Sequence, residues 1–170
     1  MQFTNLSSGY QIRRLTPADW RLILTLMQDN TYYYQHCPPA PTRENILADL
    51  KTLPPGVALK AKAYLGFFRE EKLCAILDLV VGYPNEETLY LGFFMLAKQL
   101  QQQGKGTHLI TEISLFAKKA GFKYLRLGYV TTNLVARNFW LKNGFVPQKI
   151  VQQARYRVVV AQKDLTVMDY

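Results

Sequence analysis

The feature that most constrains the fold is an abrupt change of sequence pattern around Gly104 and Gly106. Before it, Thr88 to Leu96 is almost entirely aromatic and aliphatic, which is typical of a strand buried on both faces. After it, Thr107 to Ala120 places apolar residues at helical spacing, and Gly121 stands where a helix would end. The two glycines therefore lie where a strand turns into the start of a helix. Amide groups there have no partner within the helix and lie at its positive end, so the turn is suited to hold phosphates.

The spacing within this turn excludes two common nucleotide-binding motifs. A P-loop needs Ser or Thr directly after its Gly-Lys pair, but Gly106 follows Lys105 here. A dinucleotide-binding fingerprint needs a third glycine three residues beyond the second, and Leu109 stands there instead. The residues do match a Q/R-x-x-G-x-G/A pyrophosphate loop, written here as Gln101-x-x-Gly104-x-Gly106.

A second motif follows this loop at a suitable distance. After a predicted strand at Phe122 to Tyr129, the chain reads Asn133-x-x-Ala136-x-x-Phe139-Trp140-x-Lys142-Asn143-Gly144-Phe145. Together the two motifs resemble the GCN5-related N-acetyltransferase (GNAT) superfamily, in which the loop is an acetyl-CoA signature and N-x-x-A-x-x-F-Y-x-K-x-G-F follows it. The resemblance is good from about Leu73 to Phe145 and extends to the first third of the chain only in outline.

The remaining elements predict one GNAT domain over residues 1–170. The chain is long enough for a sizeable core, and its 49% hydrophobic and 19% charged content is globular. Thr16 and Thr42 are predicted to cap two helices, and Pro17 stands at the first position of the earlier one. We expect an α/β fold with a mixed sheet in the order β-α-α-β-β-β-α-β-α-β-β. The sheet would be antiparallel on its N-terminal side, with the cofactor in a splay between the strands that end near Leu96 and Tyr129.

The resemblance implies that acetyl-CoA is the acetyl donor and assigns residues to it. The strand entering the loop would offer its main chain to the pantetheine arm at Phe94, Met95 and Leu96. Asn133 matches the residue that hydrogen-bonds the cofactor arm, and Lys142 reaches either a phosphate or only solvent. Gln101 either braces the turn or touches the adenosine end. The residues that match the pyrophosphate cradle are Gln102, Gln103, Gly104, Lys105, Gly106 and Thr107.

The segment from Thr31 to His36 carries three consecutive tyrosines and a histidine. In the superfamily the corresponding segment commonly forms one wall of the acceptor site. We therefore assign Tyr33 and Tyr34 to substrate binding, with Tyr32 and His36 beside them. The alternative is that these rings only pack between a helix and the sheet. No metal site is expected, because the histidines have no ligand-like spacing to each other or to cysteine.

Two positions depart from the family pattern where protons move. Trp140 stands where many relatives have a tyrosine that protonates the leaving thiolate, and an indole N–H cannot act as an acid near neutral pH. This loss is tolerable, because a thiol of pKa about 8.5 leaves passably as an anion. Gly128 stands where ribosomal-protein N-terminal acetyltransferases carry a catalytic glutamate, five residues before the asparagine. Gly128 therefore argues against membership of that subgroup.

Asp78 is the candidate general base. It is the only charged residue in the apolar run from Ala75 to Val81, next to the predicted cofactor strand. A buried acid is costly unless it is bonded, paired or functional, and burial raises its pKa towards useful values. The alternative is a structural acid bonded to a backbone N–H or a lysine. Glu86 and Glu87 are the second choices.

The sequence predicts an enzyme that transfers acetyl from acetyl-CoA directly to an amine, which could be a polyamine, an aminoglycoside, an amino acid or a protein amine. Two other classes stay open: a degenerate acetyl-CoA-binding module without transfer, and an RNA-associated protein. The net charge of +9 suits a phosphate-rich ligand, RNA or an acidic partner, but lysine runs and RNP-type aromatics are missing. Two cysteines, no signal segment and no membrane-spanning run predict a cytoplasmic protein. A monomer and a homodimer both remain open.

Overall fold

A seven-stranded mixed sheet runs through the structure, which is a computed structural model describing residues 2–167. Its strands are β1 Gln11–Arg14, β2 Lys62–Arg69, β3 Lys72–Val81, β4 Thr88–Leu96, β5 Tyr124–Val130, β6 Val146–Gln152 and β7 Arg157–Asp164. The spatial order is β1-β2-β3-β4-β5-β7-β6. Every neighbouring pair is antiparallel except β4 and β5, which run parallel. The parallel pair therefore lies in the middle of the sheet.

Five α-helices connect the strands. They are α1 Trp20–Gln28, α2 Thr31–His36, α3 Arg43–Asp49, α4 Lys105–Lys119 and α5 Leu134–Lys142. The predicted order of strands and helices is confirmed, with one addition: Thr31–His36, expected as a connection, forms a short helix that ends before two prolines. No helix within residues 2–167 is long and apolar enough to cross a membrane.

Local capping explains where the first helices begin. The Thr16 and Asp19 side chains form a capping box around a 3₁₀ turn that leads into α1. Asp19 also pairs with Arg13 of β1 at 2.8 Å, which ties the helix start to the sheet edge. The hydrogen bond from Arg13 lowers the pKa of Asp19 to about 2, although burial alone would raise it. The hydroxyl of Thr42 accepts from the Asn45 amide at 3.2 Å, as the predicted cap of α3 should.

The sheet has two buried faces with different helices on them. On one face, Leu109 and Ile113 of α4 and Trp140 of α5 pack with Leu91 and Leu127 of the central strands. We call this the α4–α5 face. On the other face, α1 and α3 pack on residues of β2, β3 and β4, through Ile23, Leu26, Met27, Ile46, Tyr64, Ile76 and Met95. We call this the α1–α3 face. Side chains alternate between the two faces along each strand, so the sequence of a strand shows which face a residue serves.

Candidate active site

The central parallel pair opens into a cleft. β4 and β5 pair only from Thr88 to Leu91 and from Tyr124 to Leu127. β4 then continues to Leu96 and β5 to Val130, with no further pairing between the two strands within the described residues. The main chain of β4 beyond Leu91 therefore faces a gap, where an extended ligand can bind as an added strand does. This gap lies where the sequence analysis expects the splay.

The residues predicted to offer their main chain to the pantetheine arm lie along this gap. Phe94, Met95 and Leu96 all belong to the part of β4 that does not pair with β5. Phe94 and Leu96 pack on the α4–α5 face, whereas Met95 packs on the α1–α3 face. The gap therefore joins the two faces of the sheet through its centre.

The start of α4 provides donors at the end of β4. Gly104 is the N-cap residue, with a left-handed φ of +74°, and Lys105 is the first helical residue. The first helical hydrogen bond runs from the His108 amide to the Gly104 carbonyl at 3.0 Å. The amides of Lys105, Gly106 and Thr107 therefore have no acceptor within the helix and lie at its positive end. This arrangement suits a phosphate, as the sequence predicts.

The two glycines of the loop serve different structural purposes. A Cβ on Gly104 would meet nothing within 4 Å, so a glycine is favoured there by the positive φ alone. A Cβ on Gly106 would lie 3.1 Å from Cε2 of Phe139 and 3.8 Å from Cδ2 of Leu96. The structure therefore accounts for Gly106 by the close packing of α4 against α5, which the sequence analysis did not consider. The cofactor role of both glycines stays a prediction.

Glutamine side chains hold the loop in shape. Nε2 of Gln101 donates to the Leu96 carbonyl at 2.9 Å and to Oδ1 of Asn30 at 2.6 Å. Nε2 of Gln103 donates to the Gln99 carbonyl at 2.7 Å, and Gln102 adopts a positive φ of +58°. Of the two roles considered for Gln101, bracing the turn is the one that the geometry displays.

Asn133 lies three residues after the end of β5, directly before α5. Its side chain is buried, and Oδ1 accepts from the Ala136 amide at 2.9 Å, so it caps α5. The cap fixes the start of α5, on which Phe139 and Trp140 lie. The predicted contact of Asn133 with the cofactor arm stays a prediction beside this structural role.

Trp140 is part of an aromatic cluster. Its ring centroid lies 4.9 Å from that of Phe139, 5.2 Å from that of Phe145 and 6.0 Å from that of Phe94. The residue is only 8% exposed. Trp140 therefore packs α5 onto β4, at the position where relatives would carry an acidic hydroxyl.

The helix α2 lies over the gap on the α1–α3 face. The ring of Tyr33 packs edge-on against Phe93 of β4, with 5.7 Å between centroids, and against Tyr34 at 5.0 Å. Nδ1 of His36 lies 3.0 Å from the hydroxyl of Thr132, in the loop after β5. The helix therefore contacts both sides of the gap, and the aromatic packing considered for its tyrosines is present. Burial raises the pKa of both Tyr33 and Tyr34, so their hydroxyls stay protonated.

Asp78 is on β3, one strand away from the gap, and its side chain lies on the α1–α3 face, opposite Tyr64 of β2 and Phe93 of β4. Oδ2 accepts from Nζ of Lys62 at 2.7 Å, and the residue is only 9% exposed. Oδ1 is buried without a hydrogen-bond partner among the described residues. Burial raises the pKa of Asp78 to about 6, although Lys62 acts in the opposite direction. The pairing with Lys62 is what a structural role of Asp78 predicts. The oxygen Oδ1 without a partner and the raised pKa are what a general base requires.

Two residues around Asp78 were not predicted from the sequence. Lys62 is buried at the start of β2, where it also donates to the Thr52 carbonyl at 2.8 Å. The available signal was a lysine directly before the apolar run Ala63 to Phe68, two residues after Lys60. Gly92 is exposed at a bulge in β4, and a Cβ there would lie 2.7 Å from Oδ2 of Asp78. The absence of a side chain at Gly92 therefore makes room for the carboxylate.

The second-choice bases lie elsewhere. Glu86 is exposed in the turn before β4, and Glu87 pairs with Lys123 at 2.5 Å. Both lie at the end of β4 that pairs with β5, away from the gap. Among the described residues, no group of three or more histidine, cysteine or acidic side chains could hold a metal ion.

The chain is similar in fold to several solved acetyltransferases. An acetyltransferase from Thermus thermophilus is 21% identical, covers 92% of this chain and 97% of its own, and superposes with a TM-score of 0.69. The ribosomal-protein-S18-alanine N-acetyltransferase from Escherichia coli is 15% identical over 93% and 95% of the two chains, with a TM-score of 0.67. The PaiA N-acetyltransferase from Thermoplasma acidophilum, solved in complex with coenzyme A, is 18% identical over 91% and 98%, with a TM-score of 0.65. These likenesses establish the fold.

The assignment of the chain to a family rests on a match between its sequence and a family model. No curated protein matches the chain significantly. The model of the Acetyltransferase (GNAT) family matches residues 20–145, which include the splayed strands, the glycine loop and α5. The chain therefore belongs to the GNAT family of acetyltransferases.

Proposed function

We propose that the protein moves the acetyl group of acetyl-CoA to an amine by direct transfer within the gap between β4 and β5. The observation that carries this proposal is that the gap connects two unlike surfaces. On the α4–α5 face it meets the free amides at the start of α4. On the α1–α3 face it meets α2 and the carboxylate of Asp78. A donor and an acceptor can therefore approach each other from opposite faces.

The residues around α4 fit the donor. The amides of Lys105, Gly106 and Thr107 would hold the pyrophosphate, and the unpaired main chain of β4 would bind the pantetheine arm. A related structure supports this assignment, because the PaiA enzyme was crystallised with coenzyme A. Acetyl-CoA supplies an activated thioester, and main-chain N–H groups of β4 near Leu96 would stabilise charge on its oxygen.

Asp78 would act on the acceptor. An alkyl ammonium of pKa about 10.4 has no free lone pair at neutral pH and must lose a proton before it can attack. Oδ1 of Asp78 has no partner among the described residues, and a carboxyl group with a pKa of about 6 is largely ionised at pH 7. It can therefore accept the ammonium proton directly or through one water. Lys62 holds the other oxygen and fixes the direction of the carboxylate.

The acceptor is proposed as an amine in the cytoplasm, in keeping with two free cysteines. Tyr33 and Tyr34 would form one wall of its site. The related enzymes include one that acetylates an alanine of ribosomal protein S18, so protein amines belong in any panel of substrates, beside polyamines, aminoglycosides and amino acids.

The test is release of free thiol from acetyl-CoA in the presence of this amine panel, with acetyl-CoA binding measured separately by calorimetry. We expect binding and thiol release that depends on one class of amine. Binding without transfer to any amine would favour the degenerate acetyl-CoA-binding module instead. Absence of binding would contradict both.

A further inference from the structure

Tyr90 lies at the inner end of the gap. It precedes Leu91, the last residue of β4 that pairs with β5. Leu89 and Leu91 pack on the α4–α5 face, so the side chain of Tyr90 projects from the α1–α3 face, the same face as Asp78. Its ring packs edge-on against Tyr83, with 5.3 Å between centroids.

The hydroxyl of Tyr90 reaches towards β5 at Gly128. Gly128 is exposed, although it lies in a central strand, and it is the first residue of β5 beyond the paired region. A Cβ on Gly128 would lie 2.7 Å from Cγ1 of Val158 and 3.5 Å from the Tyr90 hydroxyl oxygen. The absence of a side chain therefore lets β5 come close to this hydroxyl and leaves the main chain of Gly128 exposed beside it. Gly92 likewise lets the carboxylate of Asp78 lie close to the main chain of β4.

No hydrogen bond of the Tyr90 hydroxyl is found among residues 2–167, although Arg126 and Asp78 lie close enough to influence its pKa. A half-buried phenol usually finds a polar partner, so a hydroxyl in this position is available to a ligand. Burial, followed by Tyr83, raises the pKa of Tyr90, so the phenol stays protonated and cannot serve as the base. Its oxygen can still accept a hydrogen bond.

We propose that Tyr90 is a catalytic residue that holds the acceptor nitrogen on the β5 side of the gap, across from Asp78. This inference rests on the proposed acetyl transfer. The ammonium gives one proton to Oδ1 of Asp78 and keeps the electron pair of the broken N–H bond on nitrogen. A remaining N–H of the neutral amine donates to the Tyr90 hydroxyl oxygen. Tyr90 thereby fixes the direction of the lone pair before the nitrogen attacks the thioester carbon. As the C–N bond forms, the C–S bond breaks, coenzyme A leaves as its thiolate, and the proton lost by the nitrogen goes to that thiolate or to solvent.

The variant Tyr90→Phe tests this role, because it removes only the hydroxyl and keeps the ring contact with Tyr83. With the most active amine of the panel, we expect kcat/KM for the amine to fall about tenfold or more. The KM for acetyl-CoA, the melting temperature and the acidic limb of the pH–rate profile should stay unchanged. Tyr83→Phe makes the same chemical change on the neighbouring ring and should leave all of these values as in the wild type.

Unchanged kcat/KM for the amine in Tyr90→Phe would overturn the inference, and so would an equal loss in Tyr83→Phe. A lower melting temperature with normal turnover per folded molecule would also overturn it, because Tyr90 would then be structural. A wild-type protein that acetylates no amine would instead refute the proposed function itself, and the role of Tyr90 with it.

Discussion

The two sides of the central gap are built in different ways. On the donor side, most polar contacts join residues close in sequence: Gln103 to Gln99, Gln101 to Leu96, and Asn133 to Ala136. The exception is Gln101, which also donates to Asn30, 71 residues away. On the acceptor side the contacts join distant residues, since Lys62 and Asp78 are 16 residues apart and His36 and Thr132 are 96 apart. A local motif can therefore specify most of the donor side, whereas the acceptor side exists only once the whole sheet and α2 are assembled.

This difference allows the two sides to vary independently. The loop before α4 uses main-chain amides and its own glutamines, so its shape depends on few positions elsewhere. The acceptor side depends on α2, on the bulge at Gly92 and on the Lys62–Asp78 pair, which belong to different elements. A change on one side should therefore alter one substrate and spare the other. The following variants test that separation.

The largest effect is expected from Asp78→Asn, which keeps the shape of the side chain and removes its basicity. Turnover should fall by about a hundredfold or more, as for loss of a general base. Because burial raises the pKa of Asp78 to about 6, activity should rise with pH through that value in the wild type, and this limb should move or vanish in the variant. Acetyl-CoA affinity, measured by calorimetry, should be unchanged. The control is Asp49→Asn, another carboxylate near Lys62. This variant should keep the acidic limb of the pH–rate profile and its maximal turnover, with the limb displaced to lower pH because Asp49 raises the pKa of Asp78.

The same variant has a consequence for stability. The pKa of Asp78 is raised in the folded state from 3.8 to about 6, so the folded protein binds this proton more tightly than the unfolded chain. The contribution of Asp78 to the free energy of unfolding is therefore most favourable at low pH and declines as pH rises from about 4 to 6. Chemical denaturation across that range should show this decline in the wild type and not in Asp78→Asn. If turnover per folded molecule stays normal in the variant, Asp78 is structural and the base lies elsewhere.

The next effect concerns the long-range packing contact between the donor loop and α5. In Gly106→Ala the new Cβ would press on the ring of Phe139, which Phe94 and Trp140 hold in place, so we expect a loss of about 1–2 kcal/mol in the free energy of unfolding. In a Phe139→Leu background this cost should disappear, because the ring is gone and alanine favours a helix. Gly104→Ala should cost about 1 kcal/mol in both backgrounds, since its φ is positive. Equal costs of Gly106→Ala in both backgrounds would contradict the packing explanation.

The contrast between Gly104 and Gly106 shows which features of the loop could be predicted from the sequence and which could not. The strand–turn–helix pattern predicted the loop, the buried central strand and the order of elements, because periodicity and capping are local properties. It could not separate a glycine required by its φ from one required by a ring 33 residues further along the chain. Lys62, Gly92 and Tyr90 were not predicted for the same reason. Their arrangement around Asp78 depends on strand register and on a bulge, which no single segment encodes.

A smaller effect is expected at the positive end of α4. Lys105 is exposed at the first helical position, where a negative side chain would repel a bound pyrophosphate. Lys105→Glu should weaken acetyl-CoA binding about tenfold, and added salt should reduce the difference. Lys119→Glu makes the same charge change at the other end of the helix, about 21 Å away, and should leave binding unaltered. Equal losses in both variants would indicate a general charge effect rather than a phosphate site.

The smallest effect on turnover is expected at Trp140, which lies on the donor side, in the α4–α5 face. Its indole is enclosed by Phe94, Phe139 and Phe145, so its contribution should be to packing rather than to proton transfer. Trp140→Phe should lower the free energy of unfolding by about 1–3 kcal/mol through the volume it removes and leave turnover per folded molecule within a few fold. Trp140→Tyr restores a phenol that can protonate the leaving thiolate, so its turnover should equal or exceed that of Trp140→Phe. A hundredfold loss of turnover in Trp140→Phe, with the protein still folded, would show that the indole N–H takes part in the reaction. In that case the donor side would contribute chemistry as well as binding, and the separation between the two sides of the gap would fail at this residue.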